Sequence, residues 1–324
     1  MTIGNYLRVF HDLPVFEFPA PGGKAEAAEQ SELPDPAAVA WRLSAPTYAE
    51  PEDEEWEQLF PRFLDTVDTA KVRAVVVGGW DEAYENSSAA IVEALVAAKD
   101  RLPALEAVFL GDMLSEDCEI SWIVQSDVTP LLAAYPGLVT LAVRGASELA
   151  FPPLRHEGLR RLVVQTGGLP AAVVRDIGAC DFPALEHLEL WLGRDDYGND
   201  TTPADLEPIL SGTRLPALRY LGLRNSDTQD EVVAAVASAP VVARLEELDL
   251  SMGELTDQGA EALLAGQPLT HLKRLDLSHH FLSEETAERV TAALAPHGVA
   301  VDVSDRQVPD EYNGEIYRYT AVGE

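Results

Sequence analysis

Few residues of this chain have the types and spacing that chemistry requires. The pair His279-His280 comes nearest to a metal site, but adjacent residues of an extended segment point in opposite directions and do not chelate one ion together. The paired glycines at 78–79 and 167–168 follow strand-like runs, yet neither pair continues as a dinucleotide-binding loop. The neighbouring carboxyl groups of Asp195 and Asp196 could support general acid–base chemistry, although acidic residues are too common here for such a pair to be distinctive.

Recognisable catalytic motifs are missing from the sequence. It contains no glycine-rich phosphate loop followed by lysine, no G-x-S-x-G elbow and no H-E-x-x-H helix. Its two cysteines, Cys118 and Cys180, are spaced neither as a disulfide framework nor as metal ligands. We therefore predict two reduced, partly buried thiols and a protein that is not an enzyme and uses no cofactor or metal.

Charge narrows the classes of partner. The 324 residues include 55 acidic and 23 basic ones, which gives a formal net charge of −32. Such a surface repels phosphate backbones and anionic lipid headgroups, so we expect neither nucleic acid nor a membrane surface as a partner. The N-terminus lacks the pattern of a signal peptide, and no apolar run reaches the ~18 residues of a membrane helix. The sequence thus predicts a cytoplasmic protein.

The elements that position these residues are internal repeats. Segments such as FPALEHLEL (182–190), LPALRYLGL (215–223) and HLKRLDL (271–277) are copies of one unit, L-x-x-L-x-L, with helix-like stretches between them. Because side chains alternate along a strand, the repeated apolar residues should share one core. Their aligned core position recurs at intervals of 21 to 34 residues, at Trp41, Val75, Val108, Leu141, Leu162, Leu188, Leu221, Leu248, Leu275 and Val301.

This spacing predicts an α/β fold with one curved parallel sheet of nine or ten strands and helices on its convex side. The interval between Leu141 and Leu162 is too short for a normal helix, so the segment at 148–153 should be irregular. The core leucines of the four most regular copies should be almost fully buried, namely Leu188, Leu190, Leu221, Leu223, Leu248, Leu250, Leu275 and Leu277.

Over roughly residues 70–305, these repeats resemble the leucine-rich-repeat superfamily. The segment LEELDLSMGELTDQGAEALLAG (245–266) resembles its long, ribonuclease-inhibitor-like repeat. The resemblance implies a right-handed solenoid shaped as a horseshoe. The family's usual turn asparagine is missing, since Gly193, Ser226, Gly253 and His280 stand in its place, so these turns must be closed differently. The run LELWLGRDDYG (188–198) and the ending RYTAVGE are also similar to a group of uncharacterised bacterial cytoplasmic leucine-rich-repeat proteins, which implies no particular activity.

A solenoid exposes its core at both ends unless caps cover it, which predicts three regions. Residues 1–62 should form an N-terminal cap with a mobile loop at 19–36, and 63–305 the solenoid. Residues 306–324 should form a capping hairpin that turns at Asn313-Gly314. A helix within 52–67 should bury one apolar face that carries Trp56, Leu59, Phe60 and Phe63, while Pro61 kinks it or shifts its start.

The outward-facing strand positions are the candidate binding surface. Along the repeats they change from apolar to basic, then aromatic, then acidic. We predict that Trp191 supplies affinity and that the charges orient a partner. The predicted concave binding residues are Arg144, Arg161, Gln165, Glu189, Trp191, Tyr220, Arg224, Asp249, Asp276 and Asp302. In a competing interpretation, the acidic run at 50–55 neutralises the arginines and the N-terminal cap covers the apolar end.

The sequence therefore favours a non-catalytic module that binds a protein or peptide on a concave face. One alternative is an enzyme or accessory subunit with a site formed by Glu189, Trp191, Asp195 and Asp196. A second alternative is a structural scaffold that binds through its convex face or its caps.

Overall fold

A computed structural model describes residues 4–21, 33–51 and 53–323. Most of the predicted loop at 19–36 lies outside the described residues. The chain divides into two compact units, Met1–Ala150 and Phe151–Glu324. Each unit is an α/β structure in its own right.

The described residues of the first unit form six strands and three α-helices. In chain order they are β1 (Val9–Phe10), β2 (Leu13–Glu17), β3 (Ala40–Leu43), α1 (Trp56–Thr66), β4 (Ala74–Val77), α2 (Ala89–Ala97), β5 (Ala107–Leu110), α3 (Thr129–Ala134) and β6 (Thr140–Arg144).

The strands of the first unit pair in chain order. β1 and β2 form an antiparallel hairpin through His11 and Asp12, which both have positive φ, and every later pairing is parallel. The register aligns Trp41 with Val75, Val75 with Val108, and Val108 with Leu141, as the repeat alignment predicts. Residues of the predicted cap contribute the first three strands of this sheet.

The N-terminal residues also cover one face of this sheet. Phe10 packs edge-on against Phe109 of β5, with ring centroids 5.8 Å apart. The Leu7 N–H donates to Asp112 at 3.2 Å, and the His11 ring lies 3.3 Å from the hydroxyl of Thr140. The apolar outward positions of the first repeats are therefore covered from the N-terminus, as the competing interpretation predicts.

In the second unit, residues 151–323 form eight strands and five α-helices. In chain order they are β7 (Arg161–Gln165), α4 (Ala171–Ala179), β8 (His187–Gly193), α5 (Pro203–Leu210), β9 (Tyr220–Ser226), α6 (Gln229–Val236), β10 (Glu247–Asp249), α7 (Asp257–Ala265), β11 (Arg274–Asp276), α8 (Glu284–Leu294), β12 (Ala300–Asp302), β13 (Asp310–Tyr312) and β14 (Glu315–Tyr317).

Strands β7 to β12 pair in chain order and are all parallel. Their register aligns Leu188, Leu221, Leu248, Leu275 and Val301 with one another in turn. All eight core leucines predicted from the repeats are fully buried, which confirms the predicted register. The ten aligned positions fall on β3 to β12, and the described residues add two hairpins to them, β1–β2 and β13–β14.

Local sequence signals account for where two of the helices begin. The hydroxyl of Thr256 accepts the Gln258 N–H ahead of α7, and that of Ser283 accepts the Thr286 N–H ahead of α8. Helix α1 buries the predicted apolar face and continues through Pro61 to Thr66. Residues 145–160 contain neither helix nor strand, as the short interval predicts.

One of the four turns expected to be closed without an asparagine is closed by a histidine. Buried His280 accepts the Leu282 N–H on Nδ1 at 3.0 Å, and its Nε2 lies 3.0 Å from the Val303 carbonyl oxygen. Since Nδ1 accepts, Nε2 carries the proton and donates. The ring thus supplies both hydrogen bonds that the turn needs, and burial lowers its pKa, which favours this neutral form.

The C-terminal residues form the predicted hairpin and then a strap. β13 and β14 pair antiparallel through Asn313 and Gly314, which have positive φ, but they form a separate two-stranded sheet and do not pair with β12. The tail then crosses three equivalent turns of the second unit, and at the first of them His279 Nε2 lies 3.1 Å from the Tyr319 carbonyl oxygen. Val322 exchanges two hydrogen bonds with the Asn225 side chain, and the Ala321 N–H donates to the Met252 carbonyl at 2.8 Å.

Both cysteines are free and buried, as predicted. Burial raises the pKa of the Cys118 and Cys180 thiols to about 11, so they are not reactive thiolates at neutral pH. Among the helices of the described residues, none combines the length and apolar character needed to cross a membrane.

Candidate functional site

The predicted outward residues of the second unit lie on the sheet face opposite the core leucines. One register row, here called the inner row, runs through Val163, Glu189, Gly222, Asp249, Asp276 and Asp302. A second, two residues earlier in each strand and here called the outer row, runs through Arg161, His187, Tyr220, Glu247 and Arg274. The two rows differ in exposure, and this difference decides which of the predicted residues can meet a partner.

The inner row is centred on a buried carboxylate. Glu189 is only 3% exposed. It accepts hydrogen bonds from Arg224 Nη1 at 3.0 Å and Trp191 Nε1 at 2.8 Å, and His187 Nε2 lies 3.4 Å away. Burial alone would raise the pKa of Glu189, but these hydrogen bonds and the charge of Arg224 outweigh it and lower the pKa to about 2. Glu189 is therefore a permanently ionised anchor and not a proton donor.

The neighbouring histidine is held in a defined tautomer. Arg161 Nη1 lies 3.2 Å from His187 Nδ1, and because a guanidinium only donates, Nδ1 must accept. His187 Nε2 then carries the proton that points at Glu189. Burial lowers the pKa of His187 more than the bond to Glu189 raises it, so the ring is neutral at pH 7.

Trp191 does not have its predicted role. The prediction of an exposed affinity anchor is wrong, because the ring is 0% exposed. Arg224, its partner on β9, reaches back across the sheet to Glu189 and lies 5.6 Å from the centre of the Trp191 ring. Trp191 thus serves as a buried donor and packing surface. Gln165, at the end of β7, is buried as well.

Two of the three predicted binding arginines, Arg144 and Arg224, form internal ion pairs. Arg224 pairs with Glu189 at 3.0 Å and with Asp249 at 3.3 Å. In the first unit, buried Arg144 donates to the Met113 carbonyl at 2.7 Å and lies 3.6 Å from Asp112. The competing interpretation was right that they are paired, but these partners are not in the acidic run 50–55, whose Glu54 pairs with Arg62.

The predicted acidic column has a local structural cause. Asp249, Asp276 and Asp302 each stand two residues before a serine and accept its backbone N–H at 2.9 to 3.1 Å. Arg274 adds an ion pair to Asp276 at 2.6 Å and another to Asp302 at 3.6 Å. The recurring Asp-x-Ser pattern therefore shapes the strand ends, and most of its charge is already balanced.

The two ends of the outer row remain accessible to solvent. The side chains of Arg161 and Arg274 are 40% and 49% exposed. Between them, the rings of His187 and Tyr220 stack at 3.8 Å with an interplanar angle of 8°, and the Tyr220 hydroxyl donates to Asp249 at 2.9 Å. Gly222 leaves space for this ring, since a Cβ there would come within 3.1 Å of it.

Three residues of this row were missing from the predicted site, namely His187, Glu247 and Arg274. Their signal was present, because each occupies the position two residues before an inner-row residue. The row offers two partly exposed guanidinium groups on either side of a half-buried aromatic pair, which suits binding better than bond breaking.

The four residues of the alternative enzyme site do not come together in one cluster. Glu189 and Trp191 are joined, but Asp195 and Asp196 lie in an exposed turn. There the Asp195 N–H donates to Asp227 at 2.8 Å, and Asp196 lies 3.8 Å from Arg194. An enzyme at this loop stays a prediction.

The fold defines the chain as an α/β protein of mostly parallel strands that pair in chain order. A protein from Bacteroides fragilis, whose crystal structure was determined by a structural genomics consortium, is 32% identical to it with a TM-score of 0.73. The match covers 81% of this chain and 72% of that one, and the chain belongs to the same family. No protein-family model matches the chain, and neither does any curated protein. Membership of this family supports the fold of the chain but assigns no activity to it.

Proposed function

We propose that the chain is a ribonuclease-inhibitor-like leucine-rich-repeat solenoid that works in the cytoplasm as a non-catalytic binding module. The in-register leucines at 26- to 33-residue intervals in the second unit support this assignment. Solenoids present extended sheet faces that suit macromolecules, whereas catalysis generally needs a more closed site. The ligand is a protein or peptide.

The outer row is the observation that carries this proposal. It crosses five adjacent parallel strands, from Arg161 on β7 to Arg274 on β11. Neighbouring strands lie about 4.8 Å apart, so the row is roughly 19 Å long. An extended peptide of about six residues spans that distance at ~3.3 Å per residue. Carboxylates near its two ends would meet the two arginines, and an apolar side chain would lie on the His187–Tyr220 stack.

We expect charge reversal at both ends of the row to abolish this recognition. The double variant Arg161→Glu with Arg274→Glu replaces both attractive contacts by repulsive ones. On an array of random hexapeptides, the native protein should enrich sequences with Asp or Glu at both ends, and the variant should lose this enrichment at least 10-fold. Raising the salt concentration should weaken native binding.

The matched control reverses two cations that lie outside the row. Arg160 and Lys273 each precede a row residue and pair with Glu186 and Glu246. The variant Arg160→Glu with Lys273→Glu changes net charge by the same amount, and we expect it to keep the enrichment. Equal losses in both variants, or no acidic enrichment by the native protein, would count against the outer row.

The C-terminal hairpin favours a second candidate function, a scaffold that binds through its cap. Tyr312 and Ile316 are both highly exposed, although isolated two-stranded hairpins gain little stability from exposed apolar residues. Register places Tyr312 opposite Glu315 and Ile316 opposite Glu311, so each apolar side chain lies beside a carboxylate. A basic partner with an apolar groove would complement this surface.

Tyr312→Ser with Ile316→Ser tests the scaffold function. Both side chains are exposed, so we expect the melting temperature to stay within about 2 °C of the native value. Partners cross-linked to the native protein in its own cells should be lost from this variant and kept by Arg161→Glu/Arg274→Glu. The reverse pattern would assign those partners to the outer row.

A further inference from the structure

Three loops of the first unit are joined by hydrogen bonds. They follow strands β3, β4 and β5 and comprise residues 44–51, 78–88 and 111–128. The Glu82 N–H donates to the Thr47 carbonyl at 3.0 Å, and the Thr47 hydroxyl donates to the Asp117 carbonyl at 2.8 Å. The Val124 N–H donates to the Ala83 carbonyl at 2.9 Å. These bonds fix all three loops relative to one another, and together the loops are here called the edge surface.

The edge surface exposes large aromatic side chains. Trp122 is 58% exposed and Tyr48 is 65% exposed. The Tyr48 ring lies 5.7 Å from that of Tyr84, with an interplanar angle of 30°. Tyr84 is one residue, and Trp122 two residues, from the Ala83–Val124 bond. Tryptophan and tyrosine are enriched at contact surfaces, so these exposed rings mark a candidate docking site.

All charged residues of these three loops are acidic. They contain one, three and five acidic residues in turn and no lysine, arginine or histidine. Several of these carboxylates already have roles, such as Asp112 with Arg42. Four others, Glu82, Glu85, Glu116 and Glu119, are exposed and form no ion pair with any residue that the structure describes. The loops that carry the exposed rings therefore also carry carboxylates that no described cation pairs with.

We propose that the edge surface docks an arginine-rich peptide segment of a partner protein. A guanidinium can stack on an exposed ring and donate two hydrogen bonds to a neighbouring carboxylate, so it uses both features of the surface at once. An uncharged apolar segment would leave the carboxylates unsatisfied, and a nucleic acid or acidic peptide would be repelled. The outer row of the second unit attracts the opposite charge, which makes this a different site.

The test separates ring contacts from the general attraction of an acidic protein for any cation. The probe is a fluorescein-labelled octapeptide of alternating arginine and glycine, measured by fluorescence anisotropy against the full chain at about 0.15 M salt. Tyr48→Ala with Trp122→Ala leaves the net charge unchanged, and we expect it to weaken binding about 10-fold or more. A lysine–glycine octapeptide of equal charge should bind the native protein more weakly, because an ammonium does not stack as a guanidinium does.

Two charge variants provide the matched comparison. Glu116→Gln with Glu119→Gln removes two carboxylates from the edge surface and should weaken binding at least fivefold. Glu284→Gln with Glu285→Gln removes two exposed carboxylates from α8 and should change binding less than twofold. Arg161→Glu with Arg274→Glu should not weaken binding, so failure here and failure of the outer row are distinguishable.

Two outcomes would overturn the edge surface as a docking site. In the first, the native protein does not bind the arginine peptide, or binds an aspartate–glycine octapeptide as well. In the second, the ring variant binds like the native protein and both charge variants lose affinity equally, which would leave only non-specific attraction. The glutamine variants keep both rings, so they remain informative even if the double alanine variant melts early.

Discussion

Replacing Glu189 by glutamine should destabilise the second unit by about 3–5 kcal/mol, because it removes one partner of a buried ion pair and leaves the other charge unbalanced. The guanidinium of Arg224 is only slightly exposed and would keep Asp249 as its one remaining anion. Urea unfolding at pH 7, followed by circular dichroism, measures the loss. Glu247→Gln is the matched control, since Glu247 is a partly exposed outer-row residue with no ion pair among the described residues. It should change stability by less than about 0.5 kcal/mol.

The pH dependence of this loss identifies its cause. The pKa of Glu189 lies near 2 in the folded protein, against 4.5 ordinarily, so its stabilising contribution is complete above about pH 4.5 and disappears as the pH falls towards 2. A shift of this size corresponds to roughly 3 kcal/mol, in agreement with the ion-pair estimate. The difference between native protein and Glu189→Gln should therefore shrink steadily below pH 4.5. A difference that is equally large at pH 2.5 and pH 7 would mean that the carboxylate charge is not what stabilises the unit.

The repeat pattern predicted the strands and their register because both depend on local chemistry. Leu188, Leu221, Leu248 and Leu275 occupy the same place in successive copies, and each pairs with the next across the sheet. A shift by one residue would have turned every one of them away from the core. Registers of this kind can be read from a sequence since the cost of the wrong alternative is repeated in every strand.

Exposure on the opposite face could not be read in the same way. Alternation tells which face Trp191 is on, but its burial depends on how far Arg224 reaches from the next strand. That reach depends in turn on Glu189, which is the nearest buried anion. A side chain as long as arginine can cover a neighbour or extend into solvent, and the sequence pattern does not distinguish these outcomes.

The acidic column illustrates a signal that was present and misinterpreted. Asp249, Asp276 and Asp302 each precede a serine by two residues, and this spacing lets an aspartate accept a backbone N–H in a turn. The repetition of Asp-x-Ser in three consecutive copies indicates a structural role for these carboxylates. The net charge made this structural role hard to recognise, because with 55 acidic residues any row of aspartates looks like ordinary surface charge.

Truncation of one core leucine should show how strongly the repeats depend on each other. Leu248 is fully buried and pairs in register with Leu221 and Leu275 on the strands to either side. Leu248→Ala should cost about 2–5 kcal/mol, because it loses the transfer free energy of the removed atoms and leaves a cavity between two neighbouring copies.

The control for that truncation keeps the volume of the side chain. Leu248→Met replaces one apolar residue by another of similar size and should cost less than about 1.5 kcal/mol, measured by the same urea titration. Among the described strands, β10 pairs only with β9 and β11, and β7 lies three strands away. Amide exchange in Leu248→Ala should therefore rise most in β9, β10 and β11 and least in β7. If Leu248→Ala lost less than about 0.5 kcal/mol, Leu248 would not pack between the two copies, and the shared core of the second unit would have to be placed elsewhere.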